Sequence, residues 1–125
     1  SSDGSTVAIG SPRRNGVGSL LGAVTAYELD GSNWTQKGTT LDGSADSDRF
    51  GWAVAISDDG SRLATSAPFH HGGRGQIKLL EYDGSQWLQV NGEIEGEANL
   101  HRFGYGIQSV TLNGVGDRLA SASLW

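Results

Sequence analysis

The chain contains no cysteine and no methionine, only two prolines, and no apolar run that approaches 18 residues. Without cysteine it can form neither disulfides nor thiolate metal sites, and thiol catalysis is excluded as well. The apolar runs are too short for a membrane-spanning helix. Positive charge is also scarce, with nine Lys and Arg against 14 Asp and Glu. The basic residues are scattered, whereas a nucleic-acid surface would need them clustered on one face.

Other features of the composition indicate a folded domain. Apolar residues make up 36% of the 125 residues, which is too much for a disordered tail. Glycine is abundant, with 20 residues, but they follow no three-residue period, and this excludes collagen. The sequence begins with Ser1 and shows no signal peptide, so we expect a processed form or a segment of a longer polypeptide.

The most informative feature is an internal repeat. When the chain is shifted by 53 residues, 22–51 lies over 75–104, and 12 of these 30 positions are identical. A second match, with an offset of 56, relates 3–12 to 59–68, and it recurs in part at 117–123. Loops of differing length absorb the difference between the two offsets. We therefore predict three segments: residues 1–42 as the end of one repeat, 43–95 as a complete repeat, and 96–125 as the start of a third.

Four short strands are predicted within the complete repeat, at 52–56, 62–67, 76–82 and 86–90. The first alternates large and small residues, as a half-buried strand does, and Pro68 ends the second. Asp-Gly pairs mark tight turns, which favours antiparallel meanders, and no segment has the apolar stripe of a helix. The predicted fold class is all-β, with β-propeller blades of four antiparallel strands; a β-sandwich is the alternative.

About 2.4 repeats make an incomplete ring, since a propeller needs about four or more blades. Open sheets would leave apolar faces in water. We expect the remaining blades to come from a longer parent chain, with further copies of the chain itself as the alternative.

Short motifs recur at matching repeat positions, namely Phe50-Gly51 and Phe103-Gly104, and Ser66-Ala67-Pro68 and Gly10-Ser11-Pro12. In them the chain resembles the FG-GAP family, the repeat of the integrin α-chain propeller, and especially the repeat arrays of large extracellular proteins from marine microbes and algae. The resemblance implies a seven-bladed propeller that binds or adheres outside the cell, and it does not imply catalysis. The family's calcium loop does not carry over, because Arg62 stands where its last carboxylate would be. We therefore predict that 55–62 contains a hairpin turn.

Trp52, Phe69 and Tyr105 are the predicted contact surface. Trp34 and Trp87 recur at one repeat position, which indicates packing between blades, whereas these three are less constrained. Any of the tryptophans could stack on a sugar ring, as in a lectin. Core or interblade packing is the alternative interpretation for all of them.

Two acidic residues, Asp46 and Asp48, raise the question of a cation site. Their repeat counterparts are Asn99 and His101, so one copy lacks both carboxylates. We therefore predict a solvated loop at Asp46 and Asp48.

A pair of histidines, His70 and His71, also invites a metal interpretation. Adjacent side chains on an extended segment point to opposite sides and seldom share one ion. We therefore predict a polar loop between blades, with no metal and no cofactor. No G-x-S-x-G elbow is present, and no residue order indicates a catalytic triad.

The expected function is that of a non-enzymatic, extracellular structural or adhesive repeat segment that makes protein or glycan contacts. Its expected partners are neighbouring repeats of a longer parent chain or copies of itself, with a glycan or an extracellular protein as ligand. The triplet Asn33-Trp34-Thr35 predicts N-glycosylation at Asn33. The alternative is a carbohydrate-binding, lectin-like propeller or one that cleaves carbohydrate.

Overall fold

A computed structural model describes residues 1–16, 19–90, 92–106 and 109–122. The fold is all-β and is built from three antiparallel sheets, none of which closes into a barrel within those ranges. No helix among them is long and apolar enough to cross a membrane. The elements are β1 (Thr6–Ser11), β2 (Ala23–Asp30), β3 (Asn33–Gln36), β4 (Leu41–Asp42), β5 (Val54–Ile56), β6 (Arg62–Ala67), the helical turn α1 (His70–Gly73), β7 (Gln76–Tyr82), β8 (Trp87–Gln89), β9 (Ile94–Glu95), β10 (Val110–Leu112) and β11 (Leu119–Ser121).

The first two sheets share one pattern of pairing. In the first sheet the order is β1-β2-β3, and β4 pairs with the beginning of β2. In the second sheet the order is β5-β6-β7-β8, and β9 pairs with the beginning of β7. The third sheet consists of β10 and β11.

The four strands predicted within 43–95 are all present in the predicted antiparallel order, and β6 and β7 have the predicted bounds. β5 begins at Val54 instead of Trp52. The reason is a bulge: the backbone N–H groups of Gly51 and Trp52 both donate to the carbonyl of Ser66. The short strand β9 was not predicted, because a two-residue strand shows no alternation.

The second sheet is covered on both faces. Alternate residues of β6 face opposite sides, as in any strand. Leu63 and Ala67 pack in one buried cluster with Val24 of the first sheet. Ala64 packs in a second buried cluster with Val110 of the third sheet. The core therefore consists of two apolar layers, one on each side of the second sheet.

The outer face of the first sheet is apolar and open. Val7, Ile9, Tyr27 and Trp34 line a shallow groove of about 420 Å³ there. The exposed fractions of Ile9 and Trp34 are 51% and 47%. Isolated exposed apolar side chains are ordinary, but four that share one sheet face form an unpartnered surface.

Candidate functional site

Three loops, 43–53, 68–75 and 96–106, meet through backbone hydrogen bonds. The N–H of Phe69 donates to the carbonyl of Asp48 at 3.4 Å, and the N–H of Arg102 donates to that of Gly73 at 2.7 Å. Two groups of side chains lie on these loops, and the second group also includes a residue of β9. One is aromatic and cationic, and the other consists of histidines and carboxylates.

The structure brings the three predicted contact residues together. The rings of Trp52 and Tyr105 stack at a centroid distance of 4.9 Å with an interplanar angle of 20°. Phe69 meets both rings edge-on, at 6.0 Å from Trp52 and 5.8 Å from Tyr105. The indole Nε1 of Trp52 also donates to the carbonyl oxygen of Tyr105. These contacts fix the orientation of the three rings relative to one another.

Two arginines complete this group. The Arg49 guanidinium lies 4.3 Å from the Phe69 ring centroid and 5.6 Å from that of Trp52. The Arg102 guanidinium lies 5.2 Å from the Phe69 centroid and 5.4 Å from that of Tyr105. We call these five residues the aromatic–arginine cluster. Each cation–π contact contributes roughly 0.5–1 kcal/mol at a partly exposed site.

The charge of the aromatic–arginine cluster is not neutralised within the described part of the chain. Neither guanidinium lies within 4.0 Å of a carboxylate there, although the chain as a whole has a net charge of −5. All five residues are half-buried. The cluster is therefore a preorganised cationic surface with partly accessible rings on an acidic protein.

The second group centres on His70, which is buried. Its Nδ1 lies 2.6 Å from Asp48 Oδ2, and both side chains are almost inaccessible, with exposed fractions of 7% and 5%. The prediction of a solvated loop is therefore wrong for Asp48, because this carboxylate is the partner of a buried imidazole. It holds for Asp46, which is exposed.

The prediction that His70 and His71 point to opposite sides is also wrong. Their rings lie 4.0 Å apart, and both face Glu95. The segment is a turn instead of an extended chain: His71 has the left-handed conformation, with φ 46° and ψ 55°, and Gly72 follows it there. We call His70, His71, Asp48 and Glu95 the histidine–carboxylate cluster.

Glu95 reaches this cluster from β9, which is held beside β7 by its pairing at Gln76. Its Oε1 lies 2.9 Å from His71 Nδ1 and 3.5 Å from His70 Nε2. Three donor atoms, one from each of His70, His71 and Glu95, lie within 4.8 Å of one another. This arrangement is a candidate for holding a metal ion.

The loop that aligns with the calcium loop of the FG-GAP family is a hairpin turn between β5 and β6, as predicted. Asp59 accepts hydrogen bonds from the hydroxyl groups of Ser57 and Ser61 and from the Ser61 N–H. These bonds, that of Ser57 above all, lower the pKa of Asp59 to about 2. The Asp59 carboxylate thus accepts its hydrogen bonds from within its own turn.

The remaining predicted residues lie apart from one another. Trp87 is buried, and its indole donates to the Lys37 carbonyl at 2.8 Å, whereas Trp34 at the matching position is exposed. Asn33 is exposed on β3. Trp125 lies outside the described residues.

Comparison with protein-family models gives no match, and no curated protein matches the sequence. The resemblance to the FG-GAP family therefore stays a prediction.

Three residues of the two clusters, Arg49, Arg102 and Glu95, were not predicted from the sequence. Arg49 and Arg102 are identical at the 53-residue offset and precede the Phe-Gly motif, so the signal was present. Glu95 gave no comparable signal, because its contact with His71 depends on the turn at that residue.

Proposed function

We propose that the chain is a non-enzymatic repeat segment of an extracellular β-propeller, in which each sheet is one blade. Backbone pairing that recurs at the sequence offset supports the repeat. β4 pairs with β2 at Ala23 and Val24, and β9 pairs with β7 at Gln76 and Ile77, 53 residues later in every case.

The connections between the sheets recur in the same way. The N–H of Arg49 donates to the Leu20 carbonyl, and that of Arg102 donates to the Gly73 carbonyl. Both arginines have left-handed backbones, with φ of 56° and 48°. Stacked repeats are expected to share such conformations, because each unit contacts its neighbours in the same way.

The open face of the first sheet supports further blades as partners. Val7, Tyr27 and Trp34 occupy the positions of Leu63, Leu80 and Trp87 in the second sheet. These counterparts are buried against the first sheet. We infer that the open face is covered in the same manner by a neighbouring repeat of a longer chain or by a second copy.

The aromatic–arginine cluster is the proposed contact surface. The observation that carries this proposal is the pair of guanidinium groups that hold three aromatic rings but have no carboxylate partner in the described structure. A guanidinium binds a carboxylate through two parallel N–H···O bonds. Ring edges and partly open ring faces suit the apolar side of a sugar. The proposed ligand is an acidic glycan, that is, one rich in uronic acids.

Binding is favoured over cleavage at this surface. Glycoside hydrolysis uses a pair of carboxyl groups at a defined separation. None of the five cluster residues has one. The lectin-like form of the alternative is thus part of the proposal, and the carbohydrate-cleaving form is not.

The proposed extracellular location is compatible with the position of the sequon. Asn33 and Trp34 are adjacent on β3, so their side chains lie on opposite faces. A glycan on Asn33 would therefore leave the open apolar face of the first sheet free for a neighbouring repeat.

The test is a titration of the protein with hexagalacturonate, followed by isothermal calorimetry, with neutral maltohexaose as the comparison ligand. We expect saturable binding of the acidic hexamer only, weakened by added salt. The double variant Arg49→Gln, Arg102→Gln should bind at least about tenfold more weakly, a loss of about 1.4 kcal/mol.

Arg13→Gln is the matched control, because Arg13 is exposed and outside the cluster. It should change the affinity by less than about twofold. Equal binding by the double variant and the native chain would reject the contact surface. New reducing ends in the incubated hexamer would reject the non-enzymatic assignment.

A further inference from the structure

The histidine–carboxylate cluster contains buried polar atoms without hydrogen-bond partners. His70 Nε2 and Glu95 Oε1 are both buried and make no hydrogen bond, although they lie only 3.5 Å apart. The 2.9 Å separation between His71 Nδ1 and Glu95 Oε1 does not have hydrogen-bond geometry either. Buried polar atoms nearly always have a partner, so a bound group that contacts both atoms would account for this arrangement.

Asp48 determines which nitrogen of His70 is free. Its carboxylate accepts the Nδ1–H at 2.6 Å, which leaves the lone pair of Nε2 directed at the other donors. A carboxylate behind a ligating imidazole is the usual arrangement around protein-bound zinc, since it fixes the tautomer and orients the ring.

Two of the three donor separations are close to those around a tetrahedral ion. With metal–ligand bonds of about 2.0–2.1 Å, ligand atoms in a tetrahedral zinc site lie about 3.3 Å apart. The separations from Glu95 Oε1, 2.9 Å to His71 and 3.5 Å to His70, fall on either side of this value. The His71 side chain is 60% exposed, so a fourth position can be reached by water.

We propose that the chain binds one Zn²⁺ through His70 Nε2, His71 Nδ1 and Glu95 Oε1, with water as the fourth ligand and Asp48 as the partner of His70. Two imidazoles and one carboxylate suit zinc, whereas calcium and magnesium require oxygen donors throughout. The ion would tie the loop between β6 and β7 to β9. That loop also supplies Phe69 of the aromatic–arginine cluster.

An ion-pair network without metal is the competing explanation. In that case a charged His70 bridges Asp48 and Glu95, and Zn²⁺ has no effect on the protein. The two explanations differ in stoichiometric metal uptake, which a purely structural ion pair does not produce.

The test is a titration of the chelator-treated full chain with ZnCl₂, followed by competition with a chromogenic chelator and by thermal unfolding. We expect one Zn²⁺ per chain, and a Tm that rises with the free zinc concentration. Millimolar CaCl₂ or MgCl₂ should neither compete nor raise the Tm.

The exposed ligand gives the cleanest variant. His71→Asn removes the imidazole while asparagine still accepts the left-handed backbone at this position. The metal-free variant should therefore keep the circular dichroism spectrum and Tm of the native chain but bind zinc at least tenfold more weakly. Glu95→Gln should weaken binding as much, and Asp48→Asn by about 10–100-fold through loss of the partner of His70.

Two controls match these variants in chemistry. Glu93→Gln changes an exposed glutamate two residues from Glu95, and His101→Ala removes the histidine that is not a member of the cluster. Both should bind zinc with the native affinity and stoichiometry. The proposal is overturned if the folded native chain takes up no zinc, or if His71→Asn binds zinc as the native chain does.

Discussion

At the scale of single residues, Gly75 shows how closely the repeats approach one another. Its φ of +83° is in the left-handed region, and a Cβ atom there would lie 2.4 Å from both the backbone N and the backbone O of Phe103. Gly22, the counterpart of Gly75, meets the backbone of Phe50 in the same way. Because backbone atoms cannot move aside as a flexible side chain can, these positions require glycine.

Gly75→Ala should therefore be strongly destabilising, by about 3–5 kcal/mol, through the clash with Phe103 in addition to the cost of the left-handed conformation. Gly84→Ala is the matched control, since Gly84 also has a positive φ, +101°, but has nothing within 4 Å of the added Cβ. It should cost only about 1–2 kcal/mol. Urea unfolding of both variants measures the difference, and equal costs would mean that the close approach is absent in solution.

The candidate site was only partly predictable at this scale. Trp52, Phe69 and Tyr105 were selected because they are less constrained than Trp34 and Trp87, and the structure places their rings together. The arrangement of His70 and His71 was not predictable. Gly72 and Gly73 mark a loop after His71, but they do not specify that His71 itself adopts the left-handed backbone, which is uncommon outside glycine.

At the scale of elements, the carboxylates of two Asp-Gly turns accept hydrogen bonds from serines of the same turn. Hydrogen bonds from Ser1 and Ser5 lower the pKa of Asp3 to about 2, and those from Ser57 and Ser61 do the same for Asp59. A carboxylate that accepts such bonds favours its charged form. These turns should therefore weaken as the carboxylates become protonated.

The lowered pKa of Asp59 determines how the stability of the fold changes with pH. The ordinary value in an unfolded chain is about 3.9, so the charged form stabilises the fold above that pH. The contribution is lost as the pH falls from about 4 towards 2. Asp59→Asn keeps an oxygen acceptor but cannot titrate, so the native chain should be more stable than this variant at pH 6, with the difference shrinking towards zero near pH 2.

The measurement is chemical denaturation of both proteins at several pH values between 2 and 6, with an NMR titration of the Asp59 carboxyl. Ser57→Ala removes the strongest of the hydrogen bonds to Asp59 and should raise its pKa from about 2. A stability difference that stays constant from pH 6 to 2 would contradict the role of the charged carboxylate.

The long strands were more predictable than the bulge at Gly51 and the short strand β9. β6 and β7 lie between clear turn signals, which are the Asp-Gly pairs and Pro68, and their predicted bounds are confirmed. β5 is shortened by the bulge at Gly51, and β9 is defined only by its pairing with β7. Both features depend on contacts with distant strands, which local patterns of residues do not specify.

At the scale of the whole molecule, the three sheets repeat one packing relation. Leu63 of the second sheet is buried against the first sheet, and Leu119, at the matching position of the third, packs against the second. Val7 holds this position in the first sheet and is exposed. A sheet that precedes the first one would therefore cover Val7, Ile9 and Trp34. In solution, a second copy of the chain can take the place of that sheet.

This relation predicts concentration-dependent self-association of the chain. Ile9→Glu places a charge in the middle of the open face, and burying it without a partner would be unfavourable, so the variant should stay monomeric in sedimentation velocity. Its Tm at low protein concentration should be unchanged, because Ile9 is half exposed in the single chain.

Val115→Glu is the matched control, since Val115 is a still more exposed aliphatic residue in the turn between β10 and β11. It adds the same charge to the chain but leaves the open face intact, and it should therefore associate like the native chain. If Ile9→Glu and Val115→Glu sediment alike, net charge and not the face controls association. In that case the open face of the first sheet does not bind a further sheet, and the inference of a covering blade would be wrong.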